Sequence, residues 1–187
     1  MAVTAITGDI GSGKSTAAGL LAGILGCERF DADTIAKSMW LREDVKTLAV
    51  NRWGVEILDL SGKIVLSRIA EHIFSAKSEN DFCNALIHPL VMAELQEMSR
   101  KLNCAVVEIP LLSEAGRPAW IDRAIYLTAD FSLRAERCRS QRGWSVEELR
   151  RRESLLLPQK LRMSVCEHVI LNDSNIHELQ RKLEEII

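Results

Sequence analysis

The 187-residue chain carries 24 Lys and Arg against 26 Asp and Glu, a formal net charge of −2. That balance excludes bulk electrostatic attraction to nucleic acid, and an aromatic content of 5% leaves little surface for stacking bases. With 47% hydrophobic and 27% charged residues, the composition is that of a soluble globular protein, long enough for one domain with a small inserted subdomain.

Ala2–Thr7 is a short apolar run that predicts a strand. Directly after it, Gly8-Asp9-Ile10-Gly11-Ser12-Gly13-Lys14-Ser15 satisfies G-x-x-x-x-G-K-[ST], the phosphate-binding P-loop. Glycines let main-chain N–H groups turn inward around a phosphate without a side chain in the way. Lys14 brings a point charge to the outer phosphates, and the Ser15 hydroxyl can ligate Mg²⁺. Lys14–Leu25, rich in Ala and Leu, predicts a helix whose N-terminal dipole completes the anion site. The chemistry implied is the handling of a nucleoside triphosphate.

Glu28–Asp31 predicts the second strand, closing on Phe30-Asp31-Ala32-Asp33. In an extended backbone Asp31 and Asp33 face the same way, and a carboxylate at this edge can orient an acceptor alcohol and take its proton. Asp33, just before Thr34-Ile35-Ala36, is also a good helix N-cap. The pair of carboxylates favours the catalytic reading. From Thr34 to Lys101 the signals are helical, over Arg42–Trp53, Ser67–Phe74 and Glu79–Lys101, with a turn at Asp59-Leu60-Ser61-Gly62-Lys63. This section is expected to cap the site as a substrate-facing subdomain. His88-Pro89 lies within it, and a lone histidine there is either a hydrogen-bonded structural residue or part of the site.

Ala105–Ile109 predicts the third strand, followed by Pro110-Leu111-Leu112-Ser113-Glu114, where Glu114 either touches substrate or caps a helix. Ala124–Leu127 predicts the fourth, and helices are expected over Asp130–Gln141 and Ser145–Leu156. Arg134, Arg137, Arg139 and Arg142 sit on the first of these helices, which ends at Gly143. They form either a solvated face paired with Glu136 or a mobile lid that excludes water and neutralises developing charge. Val169–Leu171 predicts the fifth strand and ends on Asn172-Asp173, where a residue can approach a nucleotide base or make a turn. Ile176–Ile187 predicts the last helix. Alternating strands and helices predict an α/β fold, a parallel sheet covered by helices on both faces, with ligands beyond the carboxyl ends of the strands.

Taken in order along nearly the whole chain, these segments resemble the dephospho-CoA kinase family. The resemblance is carried by Thr7 to Thr16, Asp31-Ala32-Asp33-Thr34-Ile35-Ala36, Ile73-Phe74, Leu86-Ile87-His88-Pro89-Leu90-Val91, Pro110-Leu111-Leu112-Ser113-Glu114 and Val169-Ile170-Leu171-Asn172-Asp173. Many kinases share the P-loop; the D-A-D-x-I-A and H-P segments are more particular to this family. Ser113, Leu156 and Leu171 depart from its pattern, and one residue is added between Arg137 and Arg142.

The resemblance implies a P-loop kinase fold with a core of about 1–33 and 102–187, a helical CoA-facing insertion of about 34–101 and a lid of about 137–160. It implies transfer of the ATP γ-phosphate to the ribose 3′-hydroxyl of dephospho-CoA, with Mg²⁺. It assigns ATP binding to Gly11, Ser12, Gly13, Lys14, Ser15, Thr16 and Asn172, and the metal to Ser15. It assigns catalysis to Asp33, Lys14 and Arg142, and substrate contacts to Asp33, His88 and Glu114. A nucleoside or nucleotide kinase on the same core is the alternative enzyme. A GTPase switch would require N-K-x-D and D-x-x-G segments that the chain lacks, and intact Lys14, Ser15 and Asp33 speak against a member that binds ATP without transfer.

No basic segment followed by a long apolar run marks a signal peptide, and no stretch approaches the roughly 18 uninterrupted apolar residues of a membrane span. A cytoplasmic setting with no membrane or nucleic-acid partner is expected. The five cysteines, Cys27, Cys83, Cys104, Cys138 and Cys166, form no C-x-x-C pair, which argues for reduced thiols over a disulfide framework or a zinc site.

Overall fold

Five strands, β1 (Ala2–Gly8), β2 (Glu28–Asp31), β3 (Cys104–Glu108), β4 (Arg123–Thr128) and β5 (His168–Leu171), form one sheet in the order β2-β3-β1-β4-β5. Every pairing is parallel, with Thr4 of β1 opposite Val106 of β3 and Arg123 of β4. The computed structural model describes residues 2–187. Within it the chain divides into two units, one of Met1–Asp31 and Leu95–Ile187, which holds the sheet, and one of Ala32–Glu94.

Parallel strands buried on both faces need continuous apolar runs, and the three central strands supply them. Val3, Ala5, Ile6, Ala105, Val106, Val107 and the run from Ala124 to Leu127 are all inaccessible to solvent. Side chains alternate along each strand. Ile6, Val106, Ile125 and Leu127 therefore point one way, onto α1 (Lys14–Leu25) and α10 (Ile176–Glu184), where they pack with Ala18, Leu21 and Leu183. Full burial of a residue such as Leu21 contributes about 1.5–3 kcal/mol. Tyr126 and Thr128 point the other way. The remaining helices of this unit are α6 (Leu112–Ala115), α7 (Phe131–Arg142), α8 (Val146–Glu153) and α9 (Gln159–Met163), together with the end of α5 (Lys77–Arg100). Because β3 and β4 flank β1 on opposite sides, the carboxyl end of β1 is the topological switch point, where ligand crevices open in such sheets.

The Ala32–Glu94 unit contains α2 (Ala32–Met39), α3 (Glu43–Trp53), a single 3-10 turn at Val55–Ile57, α4 (Leu66–Ile73) and the start of α5. Its core is aromatic. The Trp53 ring stacks on His72 with centroids 5.5 Å apart, meets Phe82 edge-on at 5.3 Å, and donates its Nε1 to Glu79 at 2.7 Å. Arg52 clamps the same Glu79 carboxylate. The turn expected at Asp59 to Lys63 is held by Asp59 Oδ1, which accepts from the amides of Ser61 and Lys63.

One expectation changes. β2 stops at Asp31 and α2 begins at Ala32 with no loop between them, so Asp33 is neither an extension of the strand nor an N-cap but a residue of the first helical turn. The cause is the apolar spacing of Ala32, Ile35 and Met39, which gives an eight-residue helix one buried stripe, while a carboxylate in its first turn suits the helix dipole. All five cysteines are free, as expected, and two of them lie together. The register that sets Glu28 against Ala105 brings Cys27 beside Cys104. Burial and then the hydrogen bond with Cys104 push the Cys27 thiol up to about 12. Both thiols are free. Among the described residues no helix is long and apolar enough to cross a membrane.

Candidate active site

Gly8 begins the phosphate loop at a φ of 143°, and a Cβ there would lie 2.0 Å from the carbonyl oxygen of Leu127. Only glycine lets the loop lie this close to β4, an approach fixed by the Asp9 amide donating to the same carbonyl at 3.0 Å. The loop ends on Gly13, left-handed at φ 92°, which starts α1 without any capping side chain. First-turn amides have no intrahelical acceptor, so the end of α1 remains an anion site. Lys14 Nζ donates to the carbonyls of Asp9 at 2.8 Å and Gly8 at 3.2 Å, which bends its ammonium back over the loop.

A cavity of about 260 Å³ opens here, lined by Gly11, Gly13, Lys14, Ser15 and Thr16 on one side and by Glu108, Arg137, Arg142 and Asn172 on others. Most of the residues expected to bind ATP therefore share one space. Ser12 is the exception: it is fully buried beneath the loop, and its carbonyl, not its hydroxyl, makes the contacts described next.

Glu108 was not singled out from the sequence. It ends β3, is 5% exposed, and accepts the Ser15 hydroxyl at 2.9 Å on one oxygen and Arg29 Nη2 at 2.8 Å on the other. The same guanidinium stands 3.9 Å from Asp31. A lone acid closing an apolar strand next to the P-loop strand was the available signal, in Val106-Val107-Glu108. Hydroxyl and carboxylate oxygens are the donor set of a hard cation that keeps waters and phosphate oxygens as its other ligands, so Ser15 and Glu108 fit Mg²⁺.

The arginines separate into three roles. Arg134 is 7% exposed and braced, donating to the carbonyls of Ala129 at 2.9 Å and Ile10 at 3.2 Å and pairing with Glu153. It is thus part of the scaffold and not of a mobile face. Arg137 donates to the carbonyls of Ser12 and Asn172 at 3.3 and 3.1 Å and lines the cavity. Arg142 lines it too, and its guanidinium lies 4.9 Å from the Trp144 ring centroid, a ring that Arg152 also covers at 4.0 Å. Asn172, expected near a nucleotide base, lines the cavity and donates Nδ2 to the Ser12 carbonyl at 2.8 Å, which ties the end of β5 to the phosphate loop.

Asp9, inside the loop, is 1% exposed. Burial would raise its pKa, but hydrogen bonds from Thr128 and Tyr126 and the charges of Arg134 and Arg162 outweigh that and hold the carboxyl below the usual aspartate range. Glu114, on α6, accepts the Leu157 amide at 3.1 Å, and its other carboxylate oxygen is buried without a hydrogen-bond partner among the described residues.

Asp33 and His88 belong to the other unit. Asp33 is exposed in the first turn of α2, two positions beyond the residue that ends β2. His88 is half-buried on α5 before Pro89, and burial lowers its pKa, which favours the neutral imidazole.

A strand, glycine loop and helix at the switch point of a parallel β2-β3-β1-β4-β5 sheet, opening on a cavity walled by arginines, define a P-loop kinase core. The chain belongs to the dephospho-CoA kinase family, whose profile matches residues 2–178. A Chlorobaculum tepidum dephospho-CoA kinase is 35% identical over 193 residues, covering 97% of this chain and 91% of that protein. A crystal structure from Thermus thermophilus superposes with a TM-score of 0.79 at 28% identity, covering 99% of this chain and 95% of that one. An Acinetobacter baumannii shikimate kinase shares the fold at a TM-score of 0.58 and 16% identity, over 100% of this chain and 92% of that one. Membership of this kinase family implies ATP as co-substrate and a small molecule as acceptor.

Proposed function

We propose that this protein transfers the γ-phosphoryl group of ATP to the ribose 3′-hydroxyl of dephospho-CoA, the step that completes coenzyme A. The observation that carries the residue-level reading is the single cavity into which Lys14, Ser15, Glu108, Arg137 and Arg142 converge. It supplies what phosphoryl transfer needs: fixed amide donors, cations around the transferring group and an oxygen pair for a metal.

In this reading Gly11 to Thr16 grip the β- and γ-phosphates, and Lys14, held over the loop by the Asp9 and Gly8 carbonyls, meets them. Ser15, backed by Glu108, would hold Mg²⁺, which supplies charge neutralisation on the phosphate oxygens when bound. Arg137 and Arg142 balance charge that develops on the transferring group, and Asn172 keeps the loop in place beside the nucleotide. Asp33 orients the acceptor hydroxyl and takes its proton. Its exposed carboxylate, close in sequence to the carboxyl edge of β2, supports that role. His88 and Glu114 serve the acceptor side, the latter through the oxygen that is buried without a hydrogen-bond partner among the described residues. The helical insertion of about 34–101 faces the CoA moiety, and the segment of about 137–160 closes as a lid. The setting is the cytoplasm, which the free cysteines support.

The test is incubation with ATP and Mg²⁺ and a panel of acceptors, with product identified by mass. Coenzyme A from dephospho-CoA, without products from nucleosides, nucleoside monophosphates or shikimate, is the expected result. Phosphorylation of a nucleoside or nucleotide in preference to dephospho-CoA would replace this reading with a kinase of another acceptor.

A further inference from the structure

Asp9 stands in the phosphate loop, yet its side chain faces away from the nucleotide cavity. Oδ1 accepts the Tyr126 hydroxyl at 2.7 Å and Arg162 Nη2 at 2.9 Å, and Oδ2 accepts the Thr128 hydroxyl at 2.6 Å and Gln159 Nε2 at 2.8 Å. Two of these donors come from the outward alternation of β4 and two from α9, so one carboxylate joins three elements. Arg162 is itself 6% exposed, spends Nε on the Leu157 carbonyl at 2.9 Å, and has Asp9 as its only ion-pair partner among the described residues. Its Nη1 is buried without a hydrogen-bond partner among those residues. The main chain of Asp9 does different work: its carbonyl accepts Lys14 Nζ at 2.8 Å and the Ser12 amide at 3.2 Å. The residue held by α9 and β4 through its side chain thus presents, through its backbone, the oxygen on which the phosphate-binding lysine rests.

We propose that Asp9 is a positioning residue that couples α9 to the phosphate loop, so that the placement of Lys14, and with it ATP affinity, depends on the contacts of Gln159 and Arg162. The argument rests on the nucleotide site described above. Asp9 touches no substrate atom and acts through Lys14 and the loop. With glycine at Gly8, Gly11 and Gly13, the loop has little stiffness of its own. The carboxylate provides it from below.

Asp9→Asn keeps the volume and one oxygen but turns an amide N–H₂ toward donors, and leaves the buried Arg162 charge without its counterion. Direct titration with a fluorescent ATP analogue should show affinity lowered roughly ten- to a hundredfold, the equivalent of losing a charge-assisted hydrogen bond. The KM for dephospho-CoA should stay within about twofold, since no acceptor contact changes. Adding Arg162→Met removes the stranded charge and should recover a large part of the lost ATP affinity. Leu183→Ala, in the core against α1, controls for plain instability: it should lower Tm and leave ATP affinity unchanged. Gln159→Leu is the milder variant should Asp9→Asn not fold, with an expected loss of roughly threefold. Wild-type ATP affinity in Asp9→Asn, or in Gln159→Leu if only that variant folds, overturns the coupling. So does an equal loss in Leu183→Ala, or no recovery in the double variant. Binding is read without turnover, so wild-type protein that binds ATP but forms no coenzyme A would sink the acceptor assignment and leave this inference standing.

Discussion

The Ser15 hydroxyl donates a hydrogen bond to Glu108 across 2.9 Å, and that bond links the start of α1 to the end of β3. It orients a phosphate-site hydroxyl with a carboxylate more than ninety positions away in sequence. Arg29, on the other Glu108 oxygen, keeps the acid fixed at the floor of the cavity. Glu108→Gln preserves one acceptor but removes the charge. Turnover should drop roughly ten- to a hundredfold, the size of one lost charge-assisted contact, with a smaller change in KM for ATP. Steady-state kinetics over a range of Mg²⁺ concentrations checks this. If Glu108 backs the metal, the Mg²⁺ needed for half-maximal rate rises in the variant.

Asp33→Asn should separate chemistry from binding. General-base contributions of roughly 10²–10⁴ in rate set the expected loss of turnover, while ATP affinity should remain near wild type because Asp33 is outside the phosphate loop. Parallel measurement of kcat and ATP binding decides the matter. Turnover equal to wild type would remove Asp33 from the role of base.

Trp144 carries Arg142 on its ring, with Arg152 on the same ring. Such contacts are worth about 0.5–1 kcal/mol at exposed sites, small enough for a phosphate to displace them. Binding of ATP should therefore draw Arg142 from the indole and change tryptophan emission. The change should vanish in Trp144→Phe, although Trp40, Trp53 and Trp120 remain. An undiminished ATP-induced change in that variant would assign the signal elsewhere and leave Arg142 without a closing movement.

Acid should act on the two units at different pH. The Asp9 carboxyl is held below its ordinary value, so the stabilisation it gives is complete above about 3.9 and is lost as pH falls through the lower folded value. His88 is a base whose pKa is lowered by burial. Its neutral form fits the fold, and stability declines as pH falls below about 6.5 toward the lower folded value. Thermal melts from pH 7 to pH 3 should show an early decline that His88→Gln reduces and a later one that Asp9→Asn reduces. A single decline unaffected by either substitution would contradict both assignments.

What could be read without coordinates was local. Strand, glycine loop and helix from Ala2 to Leu25 lie contiguous in sequence, and each piece has its own signal of apolar run, glycine spacing or Ala/Leu content. The three central strands were legible for the same reason, as continuous apolar runs, whereas β2, Glu28-Arg29-Phe30-Asp31, carries only one apolar residue. Asp33 was misplaced because α2 is eight residues long and follows β2 without a turn, leaving no punctuation between two periodicities. α9 is five residues long, too short for periodicity to mark, and the Asp9–Arg162 pair joins positions 153 apart. Glu108 was overlooked because an acid at the end of an apolar strand reads like any turn residue until the register sets β3 beside β1. Arg134 shows the reverse error: four arginines on one helix looked alike, and only burial separates the Arg134 brace from Arg137 and Arg142, which line the cavity.

In the proposed reaction the cavity at the end of β1 delivers a phosphoryl group to one particular hydroxyl. Phosphorus NMR of a reaction containing ATP, Mg²⁺ and dephospho-CoA tests it most directly. A new phosphomonoester on the ribose 3′-oxygen, formed in step with ADP and abolished by Lys14→Ala, is the expected result. ADP accompanied only by inorganic phosphate, or a phosphoryl group on any other oxygen, would contradict it.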